Sequence, residues 1–174
     1  KIVGEKYPET FDPEVPKDLV YTGKYRLTDT VKGCPLTVGK LVLSPTRTYA
    51  PVVRAMLQEH RGDIRGMIHC SGGGQTKILH FIDKLHVVKD NLFETPLLFR
   101  IIQRESQTPW REMYSVFNMG HRMELYVDSE AVADDLIRIS KSFGVDAQVV
   151  GRVEAADKAS VTITHQNGTF DYYK

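Results

Sequence analysis

The sequence predicts an α+β domain in which helices pack on a mixed β-sheet. Three observations carry that prediction. Apolar residues recur at helical spacing in several segments, and short β-branched or alternating runs lie between them. Near the C-terminus a strand-helix-strand order implies a right-handed crossover, and the Asn167-Gly168 signal after it implies an antiparallel hairpin. With 174 residues, 41% hydrophobic and 26% charged, the chain has enough apolar material for a core.

Residues 1–40 hold Pro8, Pro13, Pro16 and Pro35 and show no long apolar period. Proline removes donors and favours extended backbone, so this part reads as an N-terminal arm or interdomain segment, with a short strand near Tyr25 to Leu27. A solvated linker and a segment docked on a neighbouring domain both fit it. The domain proper is read as residues 41–174. Leu41 to Leu43 is a short apolar run, and Ser44-Pro45 offers a capping hydroxyl before a helix-starting proline. Tyr49, Val52, Val53, Met56 and Leu57 mark one buried helical face running to His60. A start at Pro45 would put Pro51 in the second turn and kink the helix; a start near Thr48 makes Pro51 harmless.

Arg65 to Cys70 reads as a strand, Gln75 to Ile82 as a helix with Ile78, Leu79, Phe81 and Ile82 inward, and Leu85 to Val88 as a second strand. Thr95-Pro96 and Thr108-Pro109 each pair a capping hydroxyl with proline at the first helical position. Leu97, Leu98, Phe99, Ile101 and Ile102 anchor the first of these helices; Trp110, Met113, Tyr114 and Phe117 anchor the second. Arg122 to Val127 reads as a strand. Ser129 caps a helix that Gly144 ends, with Val132, Leu136, Ile139 and Phe143 as its buried stripe. Gln148 to Glu154, Ser160 to His165 and a last run through Tyr173 complete the strands.

A net charge of +1 and a pI near 7.9 give no broad field for nucleic acid or an anionic membrane, so any anion site must be local. The strands also lack the stacked aromatics of an RNA-binding sheet. No apolar run long enough to span a membrane and no signal-peptide pattern occur, and a cytoplasmic protein is expected. The chain opens on Lys1, as a fragment or processed product would. Cys34 and Cys70 are spaced for neither a disulfide framework nor zinc. Asn167-Gly168-Thr169 fits a glycosylation pattern, but two β-rich runs flank it and the hairpin reading is preferred.

The densest chemical signal is Met67-Ile68-His69-Cys70-Ser71-Gly72-Gly73-Gly74-Gln75-Thr76-Lys77. An apolar strand breaking at three glycines before a helix start aims free N–H groups and a helix dipole at an anion. Ser71 to Gly74 matches neither the P-loop nor the dinucleotide fingerprint, so an anion-binding turn and a plain tight turn both stand. His69 reads as a satisfied core histidine before a catalyst. Lys77, one turn into the helix, can reach a phosphate or simply face solvent. Asn118-Met119-Gly120 reads as a turn whose free backbone can meet a ligand, and His121-Arg122 add positive charge beside it. Arg47 can bind a carboxylate or phosphate through its fork, or form a surface salt bridge. No catalytic residue is assigned, and no metal ligand set is expected.

Three motifs in order, Leu43-Ser44-Pro45-Thr46-Arg47-Thr48-Tyr49, then Met67 to Gly74, then Glu112-Met113-Tyr114-Ser115-Val116-Phe117-Asn118-Met119-Gly120 with Met123, make residues from about 41 onward resemble the C-terminal domain of aminoimidazole ribonucleotide (AIR) synthetases, the phosphoribosylformylglycinamidine cyclo-ligases. Hydrogenase maturation proteins, selenide, water dikinases and formylglycinamidine ribonucleotide synthases share that architecture. The resemblance implies a three-layer α/β/α fold, partly ferredoxin-like. It implies ATP-dependent closure of formylglycinamidine ribonucleotide to aminoimidazole ribonucleotide in purine synthesis.

The resemblance further implies a site between two domains, with a preceding ATP-binding domain holding most contacts to the nucleotide phosphates and magnesium and forming most of a homodimer. Such a fragment would be inactive alone and hold neither ATP nor Mg2+ tightly. Ser71, Gly72, Gly73, Gly74, Thr46, Arg47, Asn118, Gly120 and Arg122 are then the substrate- or phosphate-binding candidates, with His69 and Lys77 beside them. Two positions depart from the family: Ser71 stands for its usual threonine, keeping the hydroxyl, and Arg122 for a usual glycine. Arg122 either supplies a phosphate contact or marks a divergent relative. A non-catalytic ligand-binding or regulatory module, or another member of the same ATP-dependent superfamily, is the alternative. The loop itself is expected to tolerate Gly73→Val in fold while the enzyme loses activity.

Overall fold

The computed structural model describes residues 8–174 apart from Leu19, Tyr21, Thr22, Pro45 and Thr46. The chain divides into two compact units, Lys1–Pro45 and Thr46–Lys174.

In the first unit, a 3-10 turn at Pro8–Thr10 and helix α1 (Val38–Val42) are joined by turns and one isolated bridge, Thr30 to Thr37. Thr37 caps α1, its Oγ1 accepting from Lys40 N at 3.4 Å. The expected strand at Tyr25 to Leu27 does not form. A local turn takes its hydrogen bonds instead: Arg26 N donates to Asp29 Oδ2 at 2.8 Å, Asp29 N to Arg26 O at 3.0 Å, and Gly39 N to Leu27 O at 2.8 Å.

The second unit begins its regular structure with α2 (Ala50–His60), which places Pro51 in the first turn, where its missing N–H costs nothing. The later of the two expected starts is therefore the one adopted, and Ser44 caps nothing of this helix. Strand β1 (Ile64–His69) pairs antiparallel with β3 (Met123–Val127). A second sheet has the order β4-β2-β5-β6, from β4 (Gly151–Ala155), β2 (Leu85–Lys89), β5 (Ser160–His165) and β6 (Gly168–Tyr173). In it β2 and β5 run parallel and the other pairs antiparallel, so the sheet is mixed. The expected crossover from Arg122–Val127 to Gln148–Glu154 is not one: α5 (Glu130–Ser142) leads from β3, which pairs with β1, to β4, which pairs with β2.

Two apolar cores result. Val52, Met56, Leu136 and Ile139 of α2 and α5 close on Ile64, Leu125 and Val127. Ile68, Val87, Val161, Ile163 and Tyr172 close on the 3-10 helix Gly74–His80 and on Met113 and Tyr114 of α4 (Trp110–Val116). A bulge between Ile64 and Gly66 flips the alternation of β1, so Ile64 faces one core and Ile68 the other. Helices thus pack on both sides of the strands, and the mixed α/β class is the one expected.

Several local expectations shift. The helix after the glycines is 3-10, and Phe81 turns outward at 66% exposure. The helices α3 (Leu97–Ser106) and α4 start one residue later than expected: Pro96 and Pro109 are the caps, extended at ψ 147 and 141, and their carbonyls accept the first helical bonds. Thr95 and Thr108 therefore cap neither helix. Phe143 lies past the last turn of α5, 47% exposed rather than in the stripe. The hairpin forms between β5 and β6, but its two turn residues are Gln166 and Asn167, with Gly168 at φ +124 opening β6.

Candidate functional site

The glycine loop hangs between β1 and the 3-10 helix. Cys70 N donates to Arg122 O at 2.8 Å, extending the β1–β3 pairing by one residue, and Gly74 N returns to Ser71 O at 3.0 Å. Its three glycines have different physical reasons. Gly74, at φ +49, is buried where a Cβ would lie 2.5 Å from Phe117 O and 2.8 Å from Tyr114 O, so the end of α4 requires it bare. Gly73, at φ +91, is required by its backbone conformation. Gly72 has neither demand: its φ is ordinary, it is exposed, and a Cβ there would meet nothing within 4 Å.

Among the described residues, neither Gly72 N–H nor Gly73 N–H has a protein acceptor. Beside them Lys77 Nζ donates to the exposed Ser71 Oγ at 2.6 Å. A hydroxyl and two free amides on the loop, with an ammonium from the 3-10 helix beside them, are donors of the kind that can recognise an anion. The helix dipole expected to help contributes little, because this is a seven-residue 3-10 segment rather than an α-helix. His69 is not a core histidine: it is the exposed last residue of β1.

The Asn118 turn lies against this loop. Asn118 Oδ1 accepts from Gly120 N at 2.9 Å, Met119 is buried at φ +53, and Gly120 sits at φ +98 where a Cβ would press on Pro96 Cγ at 2.8 Å. Gln75 Nε2 donates to Asn118 O at 2.5 Å and joins turn to loop. Ser71 to Gly74, Lys77, Asn118, Gly120 and Arg122 are thus brought together through the Gln75 and Cys70 bonds, with the Arg122 side chain half-buried. Arg47 Nη1 donates to Gly144 O at 3.1 Å, beyond the C-terminal end of α5. Among the described residues it makes no hydrogen bond to the loop and no salt bridge. Thr46 lies outside the described residues.

His121 does not add positive charge to the turn. It is buried, its Nε2 accepts from Phe93 N at 3.1 Å, and burial pulls its pKa down to about 4. It is neutral at physiological pH.

Sequence reasoning missed a buried polar network under the loop. Lys89 Nζ donates to Gln75 O at 2.7 Å, to Gln75 Oε1 at 3.2 Å and to Glu124 Oε1, and Glu124 Oε2 accepts from Tyr126 OH at 2.8 Å. Its signal was a single charge in each of two apolar strands, Lys89 ending Leu85-His86-Val87-Val88 and Glu124 within Met123 to Val127. Burial first and the Glu124 carboxylate second push the Cys70 thiol up to about 12 and the Tyr126 phenol far above its ordinary value. Cys70 and Tyr126 therefore keep their protons at neutral pH. Among the described residues no three His, Cys, Asp or Glu side chains gather as a metal site, and no helix is long and apolar enough to cross a membrane.

Residues 26–164 match the family described as "AIR synthase related protein, C-terminal domain". Proteins named phosphoribosylformylglycinamidine cyclo-ligase are similar to this chain. That of Methanocaldococcus jannaschii is 37% identical over 67% of this chain and 33% of its own length. That of Methanopyrus kandleri is 35% identical over 76% and 36%, and that of Carboxydothermus hydrogenoformans 34% over 82% and 41%. The chain therefore spans about a third to two fifths of the length of these relatives. Among solved structures, E. coli HypE, a hydrogenase maturation protein, has the same fold at a TM-score of 0.51 and 13% identity, covering 79% of this chain and 44% of that one. The family match covers well over half of the chain, and with the identity to the cyclo-ligases it establishes that this chain belongs to the AIR synthase related family, in its C-terminal domain.

Proposed function

We propose that this chain is the C-terminal domain of a phosphoribosylformylglycinamidine cyclo-ligase, a cytoplasmic enzyme in which ATP activates the formyl oxygen of formylglycinamidine ribonucleotide and a substrate nitrogen closes the imidazole. The observation that carries the reading is the pair of free amides at Gly72 and Gly73 beside Ser71 Oγ and Lys77 Nζ, in a chain whose relatives bear that name. In this reading Ser71, Gly72, Gly73 and Lys77 hold a phosphate of the substrate or of ATP, Asn118 and Gly120 shape the wall beside them, and Arg122 adds a cation. A preceding ATP-binding domain supplies the opposite wall and the dimer contacts. The loop offers amides, a hydroxyl and an ammonium, while Glu124 is committed to Lys89 and Tyr126, so this wall does not fit a magnesium ion. Its work is to orient the phosphate-bearing end of the substrate and to neutralise charge there.

Gly72→Val in the complete enzyme is the test, because nothing in the fold needs that glycine. Steady-state kinetics should show kcat/KM reduced by at least about tenfold with an unchanged melting temperature. Unchanged kinetics would leave the loop a turn and no more. The 174-residue chain alone should not turn over ATP and the ribonucleotide; turnover without a preceding domain would refute the two-wall arrangement. Arg122, in place of the family's usual glycine, favours a second reading, a related ATP-dependent enzyme with a different ribonucleotide. A substrate panel separates the two.

A further inference from the structure

We propose that Lys89 is a positioning residue, whose buried ammonium, held by Glu124, fixes the side-chain amide of Gln75 and thereby sets the glycine loop against the Asn118 turn. Lys89 is 1% exposed, Gln75 0% and Glu124 7%. An ammonium has three donors and no acceptor, and here all three are used, on Gln75 O, Gln75 Oε1 and Glu124 Oε1.

That count orients the amide. A glutamine side chain can turn over and exchange its oxygen with its nitrogen, but only oxygen can face a group that solely donates. With Oε1 turned to Lys89, Nε2 must point away, and it donates to Asn118 O. Asn118 O also accepts from His121 N, and Asn118 Oδ1 from Gly120 N, so the whole turn hangs on this carbonyl and its side chain. Gln75 follows Gly74, where a Cβ would lie 2.5 Å from Phe117 O. One lysine therefore sets the register between two loops 43 residues apart in the chain.

Stability alone does not account for the pair. Lys89 and Glu124 sit on strands of different sheets among apolar neighbours, and a well-packed apolar pair in such a place is usually as stable or more so. What an apolar pair cannot do is tell the two ends of an amide apart.

The consequence for ligand binding rests on the anion-site reading above; the geometry does not. Lys89→Met alone would leave Glu124 charged and unpaired in the interior, so the test is Lys89→Met with Glu124→Gln in the complete protein. A glutamine at 124 still accepts from Tyr126 OH. Hydrogen exchange should rise by about tenfold or more in peptides covering residues 71–76 and 117–122, leaving those of β5 and the melting temperature unchanged. Kinetics of the same variant should show a raised KM for the ribonucleotide or for ATP, whichever phosphate the loop holds, with a smaller effect on kcat. Gln75→Met, which keeps the ion pair, should loosen the same two segments, and it decides the matter if the double variant fails to fold. Unchanged exchange in both segments of Gln75→Met overturns the positioning role. Raised exchange with unaltered kinetics upholds the positioning and refutes the anion-site reading.

Discussion

At the scale of single residues, Gly72, Gly73 and Gly74 look alike in the sequence and differ in what the fold asks of them. Gly73→Val cannot be the clean probe the sequence recommends, since it would place a β-branched side chain at φ +91 with its Cβ 3.4 Å from Lys77 Cα. Gly74→Ala should cost about 2 kcal/mol or more by overpacking against two backbone carbonyls, whereas Gly72→Ala should stay within about 0.5 kcal/mol of the parent; urea denaturation separates them. His121 gives a second test. Its pKa falls from 6.5 to about 4 on folding, so between those values the unfolded chain binds a proton that the native protein does not. The stability is fully present above about pH 6.5 and is lost as pH falls toward 4, by up to about 3 kcal/mol at about 1.4 kcal/mol per unit. His121→Gln keeps an acceptor for Phe93 N and should flatten that slope in denaturation curves recorded between pH 7 and pH 4. None of this is visible in the pair His121-Arg122 as written, because burial, not residue type, sets the charge.

At the scale of elements, what was legible is what local chemistry decides. Ser129 caps α5, Gly144 ends it at φ +67, and the β5–β6 hairpin forms with its turn one residue before the expected pair. Ser129→Ala should therefore cost about 1 kcal/mol, read as a lowered urea midpoint, through the lost bond to Val132 N. The illegible parts are those in which another group, near or distant, competes for the local signal. The Thr-Pro pairs promise hydroxyl caps, yet the proline carbonyls open α3 and α4 themselves. The segment after the glycines has a helical pattern but is drawn into a 3-10 turn, with Gly74 pressed on the end of α4. Arg47 has the residue type for an anion, and one of its donors reaches the carbonyl of Gly144 beyond the end of α5.

At the scale of the whole second unit, periodicity predicts helices and strands but not which strands pair. Alternation in β3 is the same whether it joins β1 or a larger sheet; the choice depends on β1 carrying one face to each core through its bulge. That sharing has a mechanical consequence. The core of α2 and α5 and the core of the four-stranded sheet hold opposite faces of one strand pair, and the Lys89–Glu124 contact ties that pair to β2. Loss of either core removes support from the other, so the unit should unfold in one transition. The single tryptophan makes this measurable, because Trp110 packs on the core of the four-stranded sheet while Leu136 is buried in the core of α2 and α5. Leu136→Ala should cost about 2–5 kcal/mol and shift the urea midpoint of Trp110 fluorescence by as much as that of helical circular dichroism. A fluorescence midpoint that stayed in place while the dichroism moved would mean that the two cores melt separately, and that β1 and β3 are a hinge between them instead of a shared wall.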